Sequence, residues 1–295
     1  MKKISSYAVL LRVVRVRSLA QFLLAVSVIC ILFAGSASAG PLVYVVTGSQ
    51  QFGTVDLATG TFQPIGNPTP DAMSNLVWFH GSLLSLTTTG ADVGSLAQIN
   101  PATGAVTDIG ATGLGFNAFN LGGVRGNLYL TDFSNNLYSV DPATGVATPI
   151  TATGMPPDPT IPFTFNNDGT FNLCDEAFYG IAGKLYATFD SQAIDPTQTP
   201  PARAHAYVSP DLYQIDPVTG AATLVAKTDW QLTAIVEVNG TVYAFRGVID
   251  GFDSTFGFPI AHAEVVKLNL TTGQTTKLAD VDPSAGPIFG AAPKP

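Results

Sequence analysis

Short runs of alternating apolar and polar residues, each bounded by Gly, Asn, Asp or Pro, recur along the chain after about residue 40. One stretch shows the pattern in full. Asn120-Leu121-Gly122-Gly123-Val124-Arg125 is followed by a Gly126-Asn127 turn, then Leu128-Tyr129-Leu130-Thr131, a turn at Ser134-Asn135, Leu137-Tyr138-Ser139-Val140, a Gly-closed turn, and Val146 to Ile150. The period of two marks strands and the punctuation marks hairpins, so the stretch predicts a four-stranded antiparallel meander with strands a, b, c and d. Asn75 to Phe79 with Leu83-Leu84, Phe178 to Ala182 with Leu185-Tyr186, and Leu232 to Val238 with Val242-Tyr243 repeat the order. Their c strands are Leu96 to Ile99, Leu212 to Ile215 and Val265 to Leu268.

The c–d turn carries the repeat signature, an Asp or Asn followed three and four residues later by Thr and Gly. It occurs five times, at Asp56 to Gly60, Asn100 to Gly104, Asp141 to Gly145, Asp216 to Gly220 and Asn269 to Gly273. The first residue's side chain accepts backbone N–H groups about two residues on, and Gly closes the hairpin in the left-handed region. Calcium wants about six to eight oxygens where each turn supplies one acidic or amide side chain, so these residues read as structural. A meander copied at this spacing predicts an all-β fold, a five-bladed β-propeller. The first copy begins at strand b with Leu42 to Thr47, and Pro287 to Gly290 resembles the missing strand a. The C-terminal strand is therefore expected to close the ring. Turn glycines are spaced 44, 41, 75 and 53 residues apart, and the long interval is assigned to two loops, although it has room for a degenerate extra blade.

Residues 1–39 read as a signal peptide: Lys2, Lys3, Arg12, Arg15 and Arg17, an apolar run from Phe22 to Phe33, and Ala37-Ser38-Ala39 as the cleavage site. A membrane anchor is the competing reading, and lipidation at Cys30 is disfavoured by Ile29 before it. Residues 40–295 are expected as one propeller domain, secreted or periplasmic and not membrane-embedded after cleavage. Removing the five basic leader residues from 13 Lys and Arg leaves eight against 21 Asp and Glu, a net charge near −13. Such a surface repels polyanions and excludes nucleic acid as a partner. The single cysteine beyond the leader, Cys174, has no disulfide partner in this chain and reads as a buried apolar residue. A monomer stabilised by its core is expected.

Four strands per blade place the a–b and c–d turns at one end and the b–c and d–a connections at the other. Thr87 to Gly94, Ala152 to Asp175, Ser191 to Pro210 and Gly247 to His262 read as the long connections of a common loop face. Long loops carry binding more often than short turns do. Candidate partner contacts there are Glu176, Asp190, His205, Asp250, Phe252, Asp253, Phe256 and His262. No catalytic set emerges: His205 and His262 lack local zinc partners, no Gly-x-Ser-x-Gly elbow is present, and the loop acids read first as solvated charge.

Two stretches carry a family resemblance. Leu128-Tyr129 followed by Leu137-Tyr138-Ser139-Val140-Asp141-Pro142-Ala143-Thr144-Gly145, and Leu185-Tyr186 followed by Leu212-Tyr213-Gln214-Ile215-Asp216-Pro217-Val218-Thr219-Gly220, resemble secreted bacterial propeller repeats of the YVTN, NHL and quinoprotein-like groups. The likeness spans residues 42–292. It implies a propeller but no single activity, because these repeats serve scaffolds, ligand binders and enzymes alike. The expected function is a non-catalytic binding or interaction module rather than an enzyme, without cofactor, whose loop face meets a protein or carbohydrate. The alternative implied by the resemblance is a metal-dependent hydrolase or lactonase of the gluconolactonase type, holding calcium with Asp175, Glu176 and Asp190 at the channel mouth. Two Trp and no vicinal Cys pair argue against a quinone clamp, and no sialidase box is present.

Overall fold

The computed structural model describes residues 40–68, 73–87, 94–132, 134–153, 177–189, 211–229, 232–252 and 259–295. Five four-stranded antiparallel sheets make up the described fold, in the meander order read from the repeat. Blade one is β20 (Ile288–Pro293), β1 (Leu42–Thr47), β2 (Phe52–Asp56) and β3 (Phe62–Pro64). Blade two is β4 (Met73–Phe79), β5 (Ser82–Thr87), β6 (Ser95–Ile99) and β7 (Val106–Ala111). Blade three is β8 (Ala118–Val124), β9 (Asn127–Asp132), β10 (Asn136–Val140) and β11 (Ala147–Ala152). Blade four is β12 (Ala177–Ile181), β13 (Lys184–Phe189), β14 (Asp211–Ile215) and β15 (Ala222–Lys227). Blade five is β16 (Leu232–Val238), β17 (Thr241–Phe252), β18 (Pro259–Leu268) and β19 (Thr275–Asp280). The C-terminal strand takes the vacant inner position of blade one, with Tyr44 opposite Ala292 and Val45 opposite Ala291.

The five c–d turns share one hydrogen-bond pattern. In each, the Asp or Asn carbonyl accepts from the Gly N–H four residues on at 2.8 Å. The side-chain oxygen accepts from the N–H two residues on at 2.8–2.9 Å. All five glycines have φ between 72 and 79°. These turns are also the blade-to-blade joints. A Cβ on Gly104 would meet Ile65 of blade one, on Gly145 Gly110 of blade two, on Gly220 Thr151 of blade three, on Gly273 Lys227 of blade four, and on Gly60 Asp280 of blade five. The signature recurs because each turn has to fit under the last strand of the blade before it, once around the ring.

The inner strands converge so closely that only glycine fits at several contacts. A Cβ on Gly180 would lie 1.7 Å from the Gly123 oxygen, and one on Gly290 would lie 2.8 Å from the Asn75 Cα. Two buried side chains then tie the hub. Asn75 Nδ2, on blade two, donates to the carbonyls of Leu121 at 2.7 Å and Phe178 at 2.6 Å, on blades three and four. Blades two and four are not neighbours, so the bond to Phe178 crosses the axis. The backbone of Ile235 and Ala291, on blades five and one, hydrogen-bonds the Tyr179 phenol of blade four, whose ionisation burial pushes far upward. Asn75 and Tyr179 together reach all five blades.

Candidate functional site

Blade five breaks the regularity of the ring. In the other four blades every b strand has six residues and every c strand has five, whereas β17 has 12 and β18 has 10. The segment expected as a loop from Gly247 to His262 is thus largely strand: β17 runs to Phe252 and β18 starts at Pro259. Val248, Ile249, Phe252 and Ile260 continue the strand chemistry past the point where the repeat predicts a turn, which is the reason the loop reading fails. Pairing of β16 with β17 stops at Arg246 and pairing of β18 with β19 stops at Glu264. Beyond these residues Gly247–Phe252 and Pro259–Ala263 pair with each other, from Gly247 opposite Ala263 to Phe252 opposite Pro259. The result is a two-stranded arm projecting from the b–c end of the blade.

An isolated two-stranded hairpin is marginal in water, so what holds its root decides its order. Arg246, Glu264 and Asp280 stand in one row across β17, β18 and β19. Glu264 is 5% exposed and takes charge-assisted bonds from two cations: Arg246 Nε to its Oε2, and Lys277 Nζ to its Oε1 at 2.5 Å. Lys277 also donates to Asp280 Oδ1 at 2.6 Å. His262 Nε2 faces the same two oxygens, 3.4 Å from Asp280 Oδ1 and 3.9 Å from Glu264 Oε1. Arg246 donates further to Thr275 Oγ1 at 3.3 Å, and Thr275 N and Oγ1 donate to Asp229 at 3.2 and 3.1 Å. Burial alone would raise the Glu264 pKa, but hydrogen bonds from Lys277 and Arg246 outweigh it and hold the carboxyl below its ordinary value. The Lys277 bond lowers Asp280 in the same way, and bonds to Asp280 and Glu264 raise Lys277.

His262, Glu264 and Asp280 bring potential metal-ligating atoms within 4.8 Å of one another. The Lys277 ammonium sits on both of the carboxylate oxygens such an ion would use. As built, the cluster is a closed ion-pair network carrying its own cation.

Among the loop-face candidates, Asp250 and Phe252 lie on β17 and His262 on β18, so the arm brings these three together. Glu176, Asp190, His205, Asp253 and Phe256 lie outside the described residues, as do the alternative calcium ligands Asp175, Glu176 and Asp190. On the described inner strands, the side chains that reach across the axis are Asn75 and Tyr179, both bonded to backbone. The sequence reading missed Arg246, Glu264, Lys277 and Asp280. A signal was present: His262 and Glu264 alternate with Ala261, Ala263 and Val265, a strand pattern with a polar side rather than a loop.

These observations define the class, a five-bladed β-propeller with a plugged hub and one blade drawn out into an arm. No protein-family model matches the chain, and no curated protein matches it.

Proposed function

We propose that the protein is a secreted or periplasmic β-propeller of the YVTN, NHL and quinoprotein-like kind that works as a non-catalytic interaction module. Its contact element is the blade-five arm, and its partner is a protein or carbohydrate. The arm carries this reading. It doubles two strands in one blade of an otherwise uniform ring, and along Gly247–Phe252 and Pro259–Ala263 neither β16 nor β19 pairs with it. Among the described residues no third strand continues this pair beyond Arg246 and Glu264, and a two-stranded edge with apolar residues such as Val248 and Ile260 in its sequence suits addition of an extended segment or capture of a polar surface. The hub supports the same reading, because bonds across the axis favour rigidity over a central reaction chamber. Replacing residues 249–261 with Asn-Gly shortens the arm to a tight hairpin while keeping Arg246, His262 and Glu264. Binding of the intact and shortened proteins to extracellular proteins and to a glycan array tests the proposal. The expected result is binding by the intact protein that is lost on shortening, with folding unchanged; binding that survives shortening refutes the arm as contact element.

A further inference from the structure

Among the described residues, the arm's root is where a nearly buried carboxylate is held between two cations. At neutral pH Arg246 and Lys277 are balanced by Glu264 and Asp280, with His262 facing both carboxylates. Asp229 lies one step further out, bound to Thr275. The groups come from β17, β18, β19 and the segment after β15; β16, paired with β17 as far as Arg246, carries Glu237 opposite Val242, and Asp282 caps the 3₁₀ turn Pro283–Ala285 packed on β18. In acid the two carboxylates lose their charge while Arg246 and Lys277 keep theirs. The same protons that remove the attraction leave two cations converging on the nearly buried Glu264.

Elsewhere among the described residues a carboxylate meets a cation at Asp211, which Lys227 bonds at 2.7 Å. Asp56, Asp141 and Asp216 accept backbone N–H bonds in their turns, and a protonated carboxyl keeps a carbonyl oxygen that can still accept. Asn100 and Asn269 fill the same role without any ionisable group. The hub is held by an amide and a neutral phenol.

We propose that the ion-pair network at the arm's root is an acid-released latch: below about pH 4 the root, at Arg246 and Glu264, comes away from Lys277 and Asp280 of β19 while the hub stays folded. This deepens the reading of the arm as contact element, and it rests on that reading for its consequence, which is release of the partner in acid. Depressed Glu264 and Asp280 carboxyls give the sign. Their contribution to stability is present above the ordinary carboxylate range and is lost as pH falls through their folded values.

Hydrogen exchange on the full chain across a pH series tests the latch with no partner present, so its failure is separable from failure of the binding proposal. Exchange is corrected for the intrinsic pH dependence. The expected result is that peptides covering 246–252 and 259–266 lose at least about tenfold in protection by pH 3, while those covering 75–79 and 178–181 keep theirs. Glu264→Gln should show the same local loss at pH 7. Arm and hub losing protection at the same pH, or Glu264→Gln matching the parent at pH 7, overturns the proposal. Should Glu264→Gln fail to fold, Lys277→Met tests the same point: it removes the cation bridging the two carboxylates and should loosen 259–266 at pH 7, and unchanged protection there counts against the latch.

Discussion

The hub and the blade-five arm use opposite physical means. At the hub, glycines let the inner strands approach until Asn75 and Tyr179 can bond backbone in blades two apart, and no charge takes part. At the arm's root, order depends on a nearly buried Glu264 held between Arg246 and Lys277. A hub tied by an amide and a neutral phenol is insensitive to pH and salt, whereas an ion-pair network at a strand terminus responds to both. The contrast shows that five copies of one meander need not be five equal units: the copies build the ring, and one departs from the repeat where contact with something else is to be made.

The comparison can be broken first at the hub. Deleting residues 284–295 removes β20, and with it the Ala291 backbone that meets Tyr179 and the strand that covers β1. Loss of cooperative melting, or oligomers in size-exclusion chromatography, is expected; a truncated monomer with an unchanged melting temperature means that closure by this strand is dispensable. Asn75→Ala comes next. It strands two buried carbonyls, at a cost of about 3 kcal/mol in chemical denaturation, while arm exchange stays as in the parent. A third test lies at the joints. Val in place of Gly145 meets both a φ of 79° and the Gly110 oxygen 2.2 Å from its Cβ, so a loss of about 2 kcal/mol is expected; an unchanged midpoint removes the joint role of the turn. The smallest effect belongs to the shortened arm, whose global stability should stay within about 0.5 kcal/mol of the parent, since the described strand residues it removes pair with each other.

Most of the ring was legible in the sequence because its signals are local. Asp141 or Asn269 four residues before Gly, with period-two runs on either side, is sufficient to place c, turn and d, and the incomplete first copy pointed to Pro287 to Gly290, where the closing strand Ile288–Pro293 begins. The hub was not legible. Nothing near Asn75 in the chain indicates that its amide meets Phe178, 103 residues away, because that bond exists only once the ring has closed. The arm was hidden for a different reason. Gly247, Gly251 and Pro259 read as loop punctuation, and the partners that make His262 part of a cluster, Glu264 and Asp280, fall outside both the predicted loop and the predicted c strand, Val265 to Leu268. Charge on a strand at the end of its ladder is as informative as charge on a loop.

Thermal unfolding of the purified protein with Ca²⁺, with Zn²⁺ and with EDTA tests the central claim most directly, because an ion bound only by the folded state raises its melting temperature. A non-catalytic propeller whose hub is tied by Asn75 and Tyr179, and whose one acidic cluster among the described residues is held by Lys277, predicts the same midpoint in all three. A rise of several degrees with Ca²⁺ that EDTA reverses would contradict it and turn the account toward a metal-dependent hydrolase.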